Sequence, residues 1–243
     1  MFWIMVIGLG LLAVISGMLG LGVAFAAVPF LSIFLPDLVH QVQPLTLILN
    51  GLTALFATVG FARSGYVDWR KAIGLAAMTT LAAPIGSLLA QRINQTAILY
   101  IYFMVVLYLA YSLFQPVKGN AEKPENFRMA LVWAVPISIL AGLLGIGPGF
   151  LLMPTLILLG FEAKRAAGIN AFAVTPPSFS ALIPHLGTAV WDPNLTISLI
   201  LVGAVGAFAG ARITSLYVPS GRLKQLFGLL IVIMTAYKIY TLF

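Results

Sequence analysis

The sequence predicts an all-α polytopic membrane protein built as an inverted-topology repeat, in which each half is a broken helical hairpin followed by three transmembrane helices. Three observations predict it: the composition, a duplicated glycine-rich segment, and the distribution of Lys and Arg. Of the 243 residues, 61% are apolar and only 8% are charged, and the mean hydropathy is +1.08. Because a soluble domain carries about 25% charged residues, we expect a lipid bilayer to surround most of this chain.

The glycine-rich segment occurs once near the start of the chain and once in the middle. Residues 15–29 are ISGMLGLGVAFAAVP and residues 140–154 are LAGLLGIGPGFLLMP, so that Gly17, Gly20, Gly22 and Pro29 recur 125 residues later. Each copy lies within an apolar run, at residues 2–35 and 128–159, that exceeds the about 20 residues of one membrane crossing. Each run is therefore either one long helix or two shorter helices that meet at the glycines.

The similarity of the two halves extends beyond the glycines. Further matched pairs are Asn50 with Asn170, Asp68 with Asp192, Gly86 with Gly210, and Leu99 and Phe103 with Leu223 and Phe227. The offset is 125 at the start, 120 at the asparagines and 124 from Asp68 onward, and a four-residue insertion around residues 175–178 explains the last shift. We therefore predict a first repeat at residues 1–114, a hydrophilic linker at 115–127 (QPVKGNAEKPENF), and a second, inverted repeat at 128–243.

Simple membrane spans are predicted between these landmarks from continuous apolar stretches. In the first half they cover residues 44–61, 72–90 and 96–114, and in the second half 166–185, 195–213 and 223–242. The pair Pro176-Pro177 is expected to disturb the span that contains it.

The apolar start resembles a signal peptide, but it lacks a basic segment and its glycine pattern recurs in mid-chain, so we interpret it as mature structure.

The distribution of Lys and Arg distinguishes between the two forms of the broken runs. If each run crosses the membrane once, the 13 Lys and Arg residues divide seven to six between the two sides. If each run is a hairpin that returns to its side of entry, all but Arg92 and Lys238 of the 13 lie on one side. The positive-inside rule expects this second distribution, which favours the hairpin and places both termini outside the cell.

In the hairpin form each half has an odd number of passes, namely two hairpin arms and three simple spans. The first half therefore ends on the side opposite to its start, and the second half is inserted upside down relative to the first. In secondary transporters built this way, the substrate binds near the midplane, where broken helices meet. Backbone groups exposed by the breaks must face protein, water or a ligand. The alternative is that the small residues merely permit close helix packing. We predict substrate contacts at the breaks themselves, from Gly20, Leu21, Gly22, Gly145, Ile146 and Gly147.

Asn50 and Asn170 are the strongest side-chain candidates, because an unpaired amide within an apolar span is costly. They bind the ligand or, alternatively, cap a neighbouring broken helix. Thr53 and Thr175 are further candidates, and Gln43, Thr46 and Ser178 are weaker ones. Helices that restart after a break direct free N–H groups into the membrane interior, where they favour an anion.

Other classes of function find little support in the sequence. No acidic residue falls within a predicted span, and there are no cysteines and no P-loop or HExxH motif. The net charge of +7 is explained by the positive-inside rule, so no nucleic-acid partner is expected. We predict no enzyme activity, no metal and no cofactor. The competing hypothesis is a non-transporting membrane protein, such as an assembly subunit or an intramembrane enzyme.

The paired motifs GMLGLG…VP and GLLGIG…MP, with Asn170 in GINAF, resemble the TauE/SafE sulfite exporter family, also called the toluene-sulfonate uptake permeases. The resemblance covers nearly the whole chain. It implies a multi-pass transporter in the inner membrane of a bacterium or archaeon, with sulfite, a sulfonate or a related small organosulfur anion as its substrate. The first copy departs from the dense glycine run usual in that family, since Val23 and Ala24 follow Gly22. A homodimer is compatible with this interpretation.

Overall fold

The computed structural model of the chain describes residues 1–94, 96–98, 100, 101, 104, 124–219 and 222. Within these residues the fold is all-helical, and we number eight helices in chain order. They are α1 (Phe2–Leu19), α2 (Ala24–Leu31), α3 (Gln43–Ala62), α4 (Trp69–Ala90), α5 (Phe127–Leu144), α6 (Gly149–Leu158), α7 (Ala163–Leu182) and α8 (Pro193–Tyr217). A π-helical turn at Leu38–Val42 leads into α3, and a 3₁₀ turn at Ile183–His185 follows α7.

Six helical segments in the described part of the chain are long and apolar enough to cross a membrane. They are Phe2–Leu19, Leu38–Ala62, Trp69–Ala90, Phe127–Leu144, Ala163–His185 and Pro193–Tyr217. The polytopic all-α class is therefore confirmed, and the predicted spans at 44–61, 72–90, 166–185 and 195–213 each fall on a helix. The predicted span at 223–242, and most of the predicted span at 96–114 and of the linker at 115–127, lie outside the described residues.

Both long apolar runs are broken at the glycines, as the second of the two interpretations requires. The first run forms α1 and α2, and the second forms α5 and α6. Contacts with α8 give the direction of α1. Gly10 lies against Val202 and Gly206, and the later residue Gly17 lies against Ala207. Because later residues of α1 contact later residues of α8, the two helices run in the same direction.

The same reasoning orients α3. Gly203 of α8 packs on Thr53, and Gly60 of α3 packs on Ala211, so α3 is parallel to α8 and therefore to α1. Because α1 and α3 run in the same direction, the chain between them returns to the side on which α1 begins. The first broken run is thus a hairpin that is open towards one side.

The second half has the opposite orientation. The Thr79 hydroxyl donates to the carbonyl of Ala173 over 3.0 Å, and the Gln91 amide lies 2.8 Å from the His185 ring, so α4 and α7 are parallel. Helix α5 is also parallel to α4, since Gly74 faces Phe127 and Gly86 faces Ile139. In contrast, α3 and α7 are antiparallel, because Val39 pairs with His185 and Asn50 with Ser178.

Equivalent helices of the two halves therefore run in opposite directions, and their contacts repeat residue by residue. Gly17 packs on the backbone of Ala207, and its counterpart Gly142 packs on the backbone of Ala83. Gly210 packs on Val14, and its counterpart Gly86 packs on Ile139. Small residues at these positions allow the helix backbones to approach closely within lipid. The inversion of the halves with respect to a bilayer stays a prediction, which this pattern supports.

Aspartates begin the matched helices α4 and α8. The Asp68 carboxylate accepts from the amide of Lys71, and the Asp192 carboxylate accepts from the amide of Leu195, so both are N-caps. Partial burial raises the pKa of Asp68, but hydrogen bonds from the amide and ammonium of Lys71 outweigh it and lower the pKa. The matched Asp residues are thus explained by helix capping.

Helices α4 and α7 remain helical through their prolines because each supplies a hydroxyl to the other. Pro177 cannot donate to the carbonyl of Ala173, and the Thr79 hydroxyl takes the place of that donor. Pro84 likewise leaves the carbonyl of Thr80 free, and the Ser180 hydroxyl donates to it over 2.8 Å. The expectation that Pro176-Pro177 disturbs its span is therefore wrong: α7 continues through both prolines, because neighbouring side chains satisfy freed backbone groups.

Candidate functional site

The two breaks have the same backbone conformation. Gly20 ends α1 and Gly145 ends α5 in the left-handed conformation, with φ of 64° and 67°. Two residues later, Gly22 and Gly147 have φ of 71° and 69°. Only glycine adopts this conformation without a steric penalty. The duplicated glycines are therefore a duplicated turn.

Asn50 of α3 contacts both breaks. Its Oδ1 accepts from the amide of Ala24, the first residue of α2, over 2.9 Å. Its Nδ2 donates to the Ser178 hydroxyl over 2.8 Å. Gly22 and Gly147 pack so closely on this side-chain amide that a Cβ on either glycine would overlap it. Asn50 is fully buried and lies near the middle of the segment Leu38–Ala62.

Asn170 of α7 also joins the two breaks. Its Nδ2 donates to the carbonyl of Gly20 over 2.7 Å and to the carbonyl of Gly149 over 3.1 Å. Its Oδ1 is buried and has no hydrogen-bond partner among the described residues. The sequence offered the alternative that the asparagines cap the broken helices. Asn50 does so, because it accepts a hydrogen bond from the first residue of α2. Capping does not account for the buried, unpaired Oδ1 of Asn170.

Three of the other polar candidates form hydrogen bonds with the backbone at or beside a break, and Thr175 does not. The Thr53 hydroxyl accepts from the amide of Val23 over 3.2 Å. The Thr46 hydroxyl donates to the carbonyl of Gly145, and the Gln43 amide donates to the carbonyl of Leu143. By contrast, the Thr175 hydroxyl donates to Ala171 within its own helix, and no bond described for it reaches a break.

Three backbone donors at the breaks are left without partners. Within the described part of the chain, no hydrogen bond is formed by the amides of Gly22 and Gly147, which are equivalent, or by that of Gly149. Gly22 and Gly147 are both buried. Leu21 and Ile146, the predicted substrate contacts that precede them in the chain, are each 1% exposed. Buried amide groups are nearly always paired. Two equivalent unpaired donors next to the N-termini of α2 and α6 form a setting that favours an anion.

Comparison with known proteins identifies the family. Residues 4–238 match the family model described as sulfite exporter TauE/SafE. The chain belongs to the TauE/SafE family.

Several relatives of this TauE/SafE chain carry similar names. A probable membrane transporter protein of Xylella fastidiosa (strain Temecula1) is 28% identical over 95% of this chain and 92% of its own length. One from a Sinorhizobium species, ORF9, is 27% identical over 83% and 80%. One from the archaeon Methanocaldococcus jannaschii is 22% identical over 72% and 69%. No solved structure matches. The chain is therefore a membrane transporter and not an enzyme.

A phenylalanine pair that sequence reasoning missed lies between the two breaks of this TauE/SafE transporter. Phe25 in α2 and Phe150 in α6 stack with ring centroids 4.8 Å apart and planes inclined by 5°. Both side chains are 1% exposed. Their positions differ by 125 residues, the offset of the glycines, so the repeat contained the signal that relates them.

The described surface cavities do not reach the breaks. One, of about 470 Å³, is lined by residues that include Asp37, His40 and Gln91, and another, of about 120 Å³, includes Trp191 and Asp192. All of these residues lie at the end of the helix bundle where α3 begins and α7 ends. Neither cavity is lined by a residue of the breaks, and the glycines of both breaks are buried among the described residues.

Proposed function

We propose that this protein is a secondary carrier or facilitator for a small sulfur-containing anion, such as sulfite or an organosulfonate, which binds near the membrane midplane between the two broken hairpins. The observation that carries the proposal is the pair of unpaired, buried amides at Gly22 and Gly147. Backbone donors bind anions without the desolvation cost of a buried Lys or Arg.

The charges around the site fit an anion. All the acidic residues of the chain lie outside the candidate membrane spans, so no carboxylate is available there to repel an anion or to bind a cation. The polar groups at the breaks are neutral amides and hydroxyls, with Asn50, Thr53 and Asn170 fully buried. A neutral site that offers hydrogen-bond donors suits a small oxyanion.

The helix directions support an orientation for the protein. The described Lys and Arg residues lie where α3 and α8 end and where α4, α5 and α7 begin, with the exception of Arg92; they are Arg63, Arg70, Lys71, Arg128, Lys164, Arg165, Arg212 and Arg222. By the positive-inside rule this end is cytoplasmic. Met1 is then outside, and the C-terminus, which is outside the described residues, is predicted to be outside the cell as well.

Sulfur chemistry comes into the proposal from the family description, sulfite exporter TauE/SafE, since the names of the relatives give no substrate. We extend it to an inner-membrane location and an inverted-topology repeat, in which the opposed helix directions of the halves place both breaks at one depth. A homodimer stays a prediction, which light scattering of the purified protein in detergent can check.

Transport by purified protein in proteoliposomes tests the proposal. We expect saturable uptake of labelled sulfite or of a short alkanesulfonate, with sulfate, phosphate and chloride as the comparison anions. If correctly inserted, folded protein moves none of the sulfur anions faster than protein-free liposomes do, the proposed substrate class is wrong.

A further inference from the structure

Phe25 and Phe150 have a symmetry relation that few residue pairs can have. They occupy equivalent positions of the two halves, 125 residues apart, and they are in direct stacking contact. Residues that touch their own symmetry equivalents must lie on the axis that relates the halves. The two rings therefore mark the pseudo-two-fold axis of the molecule.

The position of the axis gives the depth of the rings. Equivalent helices of the two halves run in opposite directions, so in a bilayer the axis lies in the membrane plane. Both rings are then at the midplane. Each ring is three residues beyond the unpaired amide of its own break, Gly22 for Phe25 and Gly147 for Phe150.

The pair fills the space between α2 and α6. Each ring is 1% exposed, and a stacked aromatic pair stabilises a structure beyond the effect of the area that it buries. Asn50 contacts both breaks, through Ala24, Gly22 and Gly147. Because each ring follows its glycine amide by three residues, an anion held by the amides of Gly22 and Gly147 lies close to the stacked rings.

We propose that the Phe25–Phe150 stack is the occluding element of the transport path and sets the upper size of the anion that passes. This inference rests on the proposed function. The stack joins one broken hairpin of each half, so separating the rings opens the midplane. A compact anion such as sulfite or methanesulfonate needs a small separation of the rings, whereas an aromatic sulfonate needs a large one.

The first test compares transport rates over a graded series: sulfite, methanesulfonate, butanesulfonate and benzenesulfonate. In Phe25→Ala and Phe150→Ala we expect the rate of benzenesulfonate relative to sulfite to rise by about tenfold. The two variants should behave alike, because either removes the stack, and the double variant should add little. Phe61→Ala is the matched control, since Phe61 is fully buried but lies in the last turn of α3.

The second test measures occlusion without transport. The chain contains no cysteine, so a single Ser178→Cys thiol, at a fully buried position that contacts Asn50, is the only target of a sulfonate-bearing methanethiosulfonate reagent. Combining it with Phe25→Ala should speed labelling by up to about tenfold, because loss of the stacking energy raises the open population. Combining it with Phe61→Ala should not.

The two readouts separate the inference from the proposed function. Faster labelling in the Phe25→Ala background, with no sulfur anion transported by any variant, would support occlusion by the stack and overturn the proposed substrate class. Normal transport by the wild-type protein, with an unchanged size profile and unchanged labelling in both Phe variants, would overturn the inference and leave the proposed function standing.

Discussion

Asn50 and Asn170 occupy equivalent positions in the two halves, and each of them joins both glycine breaks. Asn50 accepts from Ala24 beside the first break and packs against Gly147 of the second. Asn170 donates to Gly20 of the first break and to Gly149 beside the second. Helices α3 and α7, which are antiparallel and contact each other, thus connect the two breaks. Movement of either helix changes both breaks at once.

We expect Asn50→Ala and Asn170→Ala each to lower the uptake of the transported anion by about tenfold or more, because each leaves buried backbone groups at the breaks unpaired. Uptake by proteoliposomes, together with size-exclusion profiles that verify folding, measures this. Asn194→Ala is the matched control, since Asn194 is exposed at the start of α8. Wild-type uptake in both single variants and in the double variant would remove the asparagines from the site.

The glycines at the breaks offer a second prediction, in which two causes of instability can be separated. In Gly22→Ala and Gly147→Ala the new Cβ meets the Asn50 side chain, and the left-handed backbone adds about 1–2 kcal/mol. Gly65→Ala has the same backbone cost, with φ of 74°, but no atom within 4 Å. We therefore expect a larger drop in melting temperature at Gly22 and Gly147 than at Gly65. Equal drops for all three would show that the contact with Asn50 is unimportant.

Much of this fold and part of the site could be predicted from the sequence, because the chain contains an internal repeat and the two copies can be aligned with each other. The matching glycines gave the two breaks, and the matching asparagines gave the side chains beside them. Thr53, chosen as a polar residue near Asn50, contacts the first break, and its role in substrate binding stays a prediction. These predictions needed only the internal repeat, the length of the apolar stretches and the cost of buried polar groups.

Features that depend on contacts between the halves could not be predicted in this way. A sequence offset relates Phe25 to Phe150, but it does not show that the rings meet. Thr175 was chosen as a polar residue near Asn170, yet its hydroxyl bonds within its own helix. The continuity of α7 through Pro177 depends on Thr79, which is 98 residues away in the sequence. Such partners become visible only when helices from different halves are packed together.

The orientation of the protein can be tested with single cysteines, because the natural chain has none. Ser64→Cys lies at the end of the bundle that carries most of the cations, whereas Thr188→Cys lies at the opposite end. In intact cells, a membrane-impermeant thiol reagent should label Thr188→Cys and should label Ser64→Cys only after the cells are broken. The reverse pattern would place the cationic end outside and contradict the proposed topology.

The hydroxyl of Ser180 provides a prediction about stability alone. It donates to the carbonyl of Thr80, which Pro84 leaves without an intrahelical partner, so we expect Ser180→Ala to lower the free energy of unfolding by about 1–3 kcal/mol. Ser198→Ala is the control, because the exposed Ser198 hydroxyl donates to Asn194 within α8, where no proline removes a donor. Unfolding of the purified protein in mixed micelles, followed by circular dichroism, measures both variants. A change no larger in Ser180→Ala than in Ser198→Ala would mean that water or local backbone adjustment satisfies the Thr80 carbonyl, and that the hydroxyl does not support the proline site of α4.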